Sequence, residues 1–284
     1  MTRYAGPHAV VIGDPIAHSR SPLIHRYWLK ELALTGYYDP LHVVPDDLAG
    51  FVTKLRDGVY AGGNVTLPHK ETIVCFLDRL DDAAQAIGAV NTLWVEQGTI
   101  WGGNTDALGF LANLDAAMPN WQTETQTALV LGAGGAARAV IYGLTTRGVP
   151  RIVIANRSLD RATALAESFN GQDSDLITVA MADLSPAAVD ADLIINATSL
   201  GMIGKPPLDS DLSILSPNTI VNDLVYVPLE TDLLTTARAA GCRTVDGLGM
   251  LLHQAVPGFE RWFGTRPAVT GDLRRHIVAH LGDG

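Results

Sequence analysis

The chain has 284 residues, enough for one large domain or two modest ones, each with its own core. Apolar residues make up 47% and charged residues 18%, which is globular composition and excludes disorder. Lys plus Arg (20) against Asp plus Glu (30) gives a net charge of −10, with no electrostatic footprint for nucleic acid or an anionic membrane, and the two distant cysteines, Cys75 and Cys242, exclude a disulfide framework or a Cys-based zinc site.

The opening stretch, MTRYAGPHAVVIGDP, lacks the ordered basic, apolar and cleavage regions of a signal peptide, and no apolar run approaches a membrane span. A soluble cytoplasmic protein acting on small molecules is the expectation. His8 to Gly13 (HAVVIG) reads as a buried strand. Ser21-Pro22 opens a helix to about Leu34, with Ser21 as its N-cap and Pro22 at the first helical position. DPLHVVP is a second strand, DDLAGFVTKLRD a helix with apolar spacing at Leu48, Phe51, Val52 and Leu55, and GGNVT a third strand with Pro68 marking a helix start. This rhythm predicts a mostly parallel sheet. VNTLWVEQGTIWGG reads as two strands about a turn at Gln97-Gly98. NTDALGFLANLDAAM is a long helix, and PNWQTETQ a polar connector. A second strand–helix series follows through TALVLGAGG, RIVIANR, ITVAM, DLIINATS, TIVNDLVY and CRTVDG, and the chain from Gly247 on is predominantly helical. Two α/β domains are expected. Their boundaries fall at 1–105 and 106–248, with helices over 249–284 whose return to pack on the first domain the spacing alone does not show.

Gly132-Ala133-Gly134-Gly135-Ala136-Ala137 follows an apolar strand and opens a helix, matching G-x-G-x-x-G/A through Gly132, Gly134 and Ala137. Gly132 permits the turn, Gly134 admits a pyrophosphate, and the helix N-terminus supplies N–H groups and a positive dipole end. A dinucleotide site is predicted. An NAD site usually ends the next strand with Asp or Glu; this chain has Asn156-Arg157-Ser158-Leu159-Asp160-Arg161. Two guanidinium groups suit an adenosine 2′-phosphate, so NADP is preferred over NAD. The alternative is that Arg157 and Arg161 form a solvated helix face.

Gly63-Asn64-Val65-Thr66-Leu67-Pro68-His69-Lys70 places a lysine in the first turn of a helix, where the dipole opposes its charge and eases proton release, as suits an acid–base catalyst. The chain has only four lysines: Lys30, Lys54, Lys70 and Lys205. Asp106 in Gly103-Asn104-Thr105-Asp106 is either its partner or an ordinary helix-start acid. Ser19 and Ser21 offer hydroxyls at a helix mouth to a substrate carboxylate, or Ser21 simply caps. His18, His25, His69 and His253 lack the spacing of a metal site and read as packing, capping or supporting residues.

Taken in order, GDPIAHSRSPLIH, GGNVTLPHK, GAVNT, GGNTD, GAGGAARA, NRS, INATSLGM, DLVYVP and DGLGMLLHQ resemble the shikimate dehydrogenase family over nearly the whole chain. The resemblance implies an α/β substrate domain, a Rossmann NADP domain and C-terminal helices returning to the first. It implies Lys70 as acid–base supported by Asp106, Ser19 and Ser21 on the carboxylate, and Thr66, Asn91, Tyr226 and Gln254 on the ring hydroxyls and carbonyl. It also implies Gly132, Ala133, Gly134, Gly135, Ala136, Asn156, Arg157, Ser158, Arg161, Leu224 and Gly247 around NADP, Met250 beside the nicotinamide, and Asp82 as an acidic neighbour of the cofactor. The sequence departs from the pattern at His25-Arg26, where many members have His-Asn, and at Ser158 for the commoner Thr. A sibling enzyme accepting quinate and a non-catalytic NADP-sensing module are the alternatives. The oligomeric state is left open, a homodimer included.

Overall fold

The computed structural model describes residues 5–171, 173–208 and 215–281. They form two compact units: one holds the described residues through Thr105 and from Leu252 onward, the other Asp106–Leu251.

In the first unit the chain runs β1 (His8–Gly13), α1 (Ser21–Glu31), β2 (Tyr37–His42), α2 (Leu48–Arg56), β3 (Gly62–Val65), α3 (His69–Thr72), β4 (Arg79–Leu80), α4 (Asp82–Ile87), β5 (Thr92–Glu96) and β6 (Thr99–Gly103). The strands make one sheet in the order β2-β1-β3-β5-β6-β4, in which β5 alone runs antiparallel to its neighbours. The β5–β6 connection has positive φ at both Gln97 and Gly98, as a two-residue hairpin requires. One sheet face is covered by Leu48, Phe51, Val52 and Leu55 of α2, whose spacing puts them on a single stripe over Val10, Ile12, Val65 and Leu93. Full burial of each such side chain stabilises by about 1.5–3 kcal/mol.

An aromatic group built on α1 and β2 is completed from the C-terminal segment. Phe259 and Trp262 pack on His25, Trp28 and Tyr38, and Trp262 Nε1 donates to the Leu93 carbonyl at 2.8 Å. Gly62 must be glycine here, because a Cβ would stand 2.1 Å from Trp262 Nε1.

His25 lies at the centre of this group, fully buried and stacked 4.0 Å from the Tyr38 ring. Its ring nitrogens make no well-aligned hydrogen bond, although the Asn64 amide lies beside the ring. Burial lowers its pKa from 6.5 to about 3, and the Asn64 contact opposes this only weakly. Between those values the unfolded chain carries a proton that the folded chain does not. Stability is therefore unaffected above pH 6.5 and falls as the pH drops toward 3, by up to about 1.4 kcal/mol per pH unit. His25→Phe keeps the stacking and removes the proton, so urea unfolding at pH 7, 5.5 and 4.5 should show a shallower acid loss than wild type. An unchanged slope would reject this account of His25.

The second unit contains α5 (Asp106–Ala117), α6 (Trp121–Glu124), β7 (Thr127–Leu131), α7 (Gly135–Thr146), β8 (Arg151–Asn156), α8 (Leu159–Glu167), β9 (Asp175–Ala180), α9 (Leu184–Val189), β10 (Leu193–Asn196), β11 (Ile220–Asp223), α10 (Asp232–Ala239) and β12 (Arg243–Val245). All six strands are parallel, in the order β12-β11-β10-β7-β8-β9. This is the doubly wound nucleotide-binding order, with the reversal between β7 and β10. Alternate residues feed two cores: Ala128, Val130, Ile152, Ile154, Leu193 and Ile195 on one face, Leu129, Leu131, Val153, Ala155 and Ile194 on the other. Burial on both faces makes these strands near-continuous apolar runs. Helix α11 (Leu248–Phe263) starts in this unit and continues in the first, followed by α12 (Gly271–Ala279). Within the first unit α12 packs beside α1: Trp28 Nε1 donates to the Ala268 carbonyl at 3.0 Å, and Tyr27 meets His276. Among the described residues no helix is long and apolar enough to cross a membrane, and no group of three or more His, Cys, Asp or Glu is placed to hold a metal.

Candidate active site

In the first unit the candidate residues gather at the carboxyl ends of the adjacent parallel strands β1 and β3. The loops leaving these strands are laced together: Thr66 N–H donates to the Ile12 carbonyl at 2.9 Å and Asp14 N–H to the Leu67 carbonyl at 3.0 Å. Gly13 lets them meet, since a Cβ there would stand 2.6 Å from Thr66 Cγ2. Lys70, half-buried, is held through its backbone, whose carbonyl accepts from Val90 N–H at 2.7 Å. Its neighbour His69 is buried, with Nε2 donating to the Val43 carbonyl at 2.6 Å. The expected helix at Lys70 is a single turn that passes into a 3₁₀ turn at Ile73–Phe76. Lys70 therefore lies about equally near both ends, and the dipole argument made from the sequence has little to act on.

Asn91 is buried at the start of β5. Its Oδ1 accepts from Thr92 Oγ1 (2.8 Å), Thr105 N–H (2.9 Å) and Thr105 Oγ1 (3.1 Å). Three donors on one oxygen fix the amide, so what Asn91 presents elsewhere is its Nδ2 donor. Thr105 is thereby anchored one residue before Asp106, the first residue of α5. Ser19 lies on the loop after β1 and Ser21 at the start of α1, so Ser21 is not the N-cap expected. The helix begins at Ser21 itself, with Arg20 in the cap position and no side-chain cap, and Ser19 Oγ accepts the Ser21 N–H at 3.4 Å. Gln254 is half-buried on α11, while Asp106 and Tyr226 belong to the second unit.

At the switch point of the second sheet, Gly132 follows β7 with φ +109°, which only glycine adopts readily, and it faces the loop after β10: a Cβ would lie 3.1 Å from Thr198 Cγ2. Gly134 and Gly135 differ. Neither has a left-handed φ, and no protein atom lies within 4 Å of where their Cβ atoms would stand. The chain itself does not demand glycine at these two positions, but a ligand approaching the backbone would. The α7 N-terminus beside them has no side-chain cap. These features fit a pyrophosphate.

At the end of β8, Asn156 Nδ2 donates to the Ser158 carbonyl at 2.9 Å, and Ser158 caps α8 by accepting from Arg161 N–H. Arg157 and Arg161 are exposed, and neither guanidinium has a hydrogen-bond or ion-pair partner among the described residues, which suits a phosphate. Gly247 has a packing reason of its own, since a Cβ would stand 2.2 Å from the Leu224 carbonyl oxygen. Met250 is half-buried and packs with Leu224 on the core. Asp82 is exposed in the first turn of α4, in the first unit.

Three family models match the chain: the shikimate dehydrogenase substrate binding domain over residues 11–93, shikimate / quinate 5-dehydrogenase over 115–203, and the shikimate 5'-dehydrogenase C-terminal domain over 247–271. A relative from Azorhizobium caulinodans named shikimate dehydrogenase (NADP(+)) is 52% identical over 271 residues, covering 95% of each chain. The chain belongs to the shikimate dehydrogenase family. Among solved structures, shikimate 5-dehydrogenase from Listeria monocytogenes, in complex with shikimate and NAD, matches with a TM-score of 0.89 at 32% identity over 97% of this chain and 98% of its own. Quinate dehydrogenase from Corynebacterium glutamicum, in complex with NAD, matches with 0.88 at 32% identity over 96% and 99%.

Several residues that shape this shikimate dehydrogenase-family site carried no local signal. Asn196 Oδ1 accepts from Thr198 N–H and Oγ1, and its Nδ2 donates to Asp223 Oδ1 at 2.9 Å. Asp223, fully buried, also accepts from Val225 N–H and Thr231 Oγ1; burial raises its carboxyl pKa while these donors oppose the rise. The network ties the loop facing Gly132 to the segment carrying Leu224 and Tyr226. Asp81, next to the singled-out Asp82, caps α4 and also accepts from Asn104 N–H at 3.3 Å. The Asp81-Asp82 pair before the AAQAI run was a readable cap signal.

Proposed function

We propose that this chain is an NADP-dependent shikimate dehydrogenase, interconverting shikimate and 3-dehydroshikimate. The observation that carries the reading is the near full-length relationship, at 52% identity, to a protein named for that activity and cofactor. The open glycine turn and the two unpartnered guanidinium groups support the cofactor. The second unit carries the dinucleotide site, and the substrate and proton are handled by residues of both units. When bound, the nicotinamide supplies or accepts the hydride. In the reducing direction negative charge develops on the substrate carbonyl oxygen, and Lys70 delivers a proton to it. Asp106 holds the Lys70 amine and the substrate hydroxyl in line. Ser19 and Ser21 meet the carboxylate; Thr66, Tyr226, Gln254 and the Asn91 Nδ2 donor orient the ring. Arg157 and Arg161 take the 2′-phosphate beside Asn156 and Ser158, and Ala133 and Ala136 complete the turn around the pyrophosphate.

Absorbance at 340 nm with shikimate or quinate, each against NADP and NAD, tests the reading. Turnover is expected with shikimate and NADP. A second reading, dual activity on quinate, is favoured by the likeness to quinate dehydrogenase; comparable rates with quinate or NAD would select it. Tight NADP binding without turnover of either acid would reject both.

A further inference from the structure

Lys70 and Asp106 lie 36 positions apart, one on the turn after β3 and the other at the start of α5. One buried peptide group connects the segments that carry them. The peptide joining Ala89 to Val90 is planar and trans, so its carbonyl and its N–H point in opposite directions. The Val90 N–H donates to the Lys70 carbonyl at 2.7 Å, and the Ala89 carbonyl accepts from Asn104 Nδ2 at 2.9 Å. A carbonyl only accepts, so the nitrogen of the Asn104 amide must face it, and this fixes the side chain's orientation. Two hydrogen bonds in line through one peptide polarise and strengthen each other. Ala89, Val90 and Asn104 are all buried, so water does not replace a lost donor.

The main chain around Asn104 is pinned by other groups. Its own N–H donates to Asp81 Oδ1 at 3.3 Å. On either side of it, the Gly103 carbonyl accepts from Asn91 N–H at 3.0 Å and Thr105 N–H donates to Asn91 Oδ1 at 2.9 Å. With residues 103–105 held in this way, the Asn104 side chain is a strut between them and the Lys70 turn. Asp106 follows two residues later. The Asn91 amide does not depend on the strut, because Thr92 and Thr105 fix its oxygen.

We infer that Asn104 is a positioning residue for proton transfer, setting Lys70 against Asp106 through the Ala89–Val90 peptide. The inference rests on the reading that Lys70 and Asp106 share the proton step. A misplacement of about 1 Å in such a pair costs roughly 10²-fold in rate.

The test measures shikimate oxidation with NADP at 340 nm in wild type, Asn104→Ala, Lys70→Ala and the double variant. Asn104→Ala is expected to lower kcat at least tenfold, with the NADP KM within twofold and the shikimate KM within threefold of wild type. In the Lys70→Ala background the amine to be positioned is gone, so adding Asn104→Ala should change kcat less than threefold. A merely structural lesion would instead multiply with the loss of Lys70. Asn104→Asp keeps the side-chain volume and puts an oxygen where the donor stood; it should match Asn104→Ala and decides in its place if that variant does not fold. A kcat within threefold of wild type, or the same loss in both backgrounds, overturns the inference. A wild-type chain without shikimate turnover overturns the functional reading instead. Amide hydrogen exchange at Val90, followed by NMR, then decides the inference separately: it should be at least tenfold faster in the Asn104 variant, and an unchanged rate overturns it.

Discussion

Replacing Lys70 with alanine is expected to lower kcat for shikimate oxidation by about 10²- to 10⁴-fold while leaving NADP affinity within twofold of wild type. The split follows from where Lys70 stands. Its backbone is held by the Val90 hydrogen bond and by its buried neighbour His69, neither of which involves the side chain. Truncation therefore removes the amine and leaves the loop in place. The glycine turn and the arginines belong to the second unit and keep their own supports. Turnover is read at 340 nm and NADP binding by fluorescence titration. Asp106→Asn should also be severe, and the double variant should lose much less than the product of the single losses, because two groups acting on one proton are not independent. A Lys70→Ala enzyme within tenfold of wild-type kcat would remove Lys70 from the chemistry.

The features legible in the sequence were those whose cause is local. ALVL (128–131) and IVIA (152–155) are apolar at every position because both faces of their strands are buried. The glycine turn announces itself by composition, and Gln97-Gly98 by the conformation a tight hairpin needs. Elements that exist only through tertiary pairing were not legible. Strand β4 is two residues paired to β6, and α6 is one turn inside a polar connector; the helix expected after Pro68 is present, but its length of a single turn was not legible. Ser21 looked like a cap because its spacing to the helix was right, but the helix begins at Ser21 itself, with Arg20 in the cap position. The pairings of Asn64 with Asn91 and of Asn196 with Asp223 were not legible either, each pair lying 27 positions apart. Such polar partners leave no periodicity; they become visible only when the sheet register brings strand ends together.

The arginine pair allows the sharpest separation of cofactor recognition from fold. Substituting both Arg157 and Arg161 with alanine should raise the NADP KM roughly 10²-fold and change the NAD KM less than threefold. Each charge-assisted hydrogen bond to a phosphate contributes roughly a factor of ten at an exposed site. Both side chains are exposed and have no partner among the described residues, so removing them should leave packing unchanged and shift the melting temperature little. The cap of α8 survives because it uses the Arg161 backbone N–H and the Ser158 hydroxyl. Salt provides an independent check. Raising ionic strength from about 0.05 to 0.5 M shortens the screening length severalfold, and it should weaken NADP binding in wild type far more than in the double variant. NAD lacks the 2′-phosphate, so its affinity should respond to salt alike in both proteins. If the substitutions raise the KM of NADP and NAD together, the arginines support the shared part of the dinucleotide or the loop itself. The preference for NADP must then be sought elsewhere around Asn156 and Ser158.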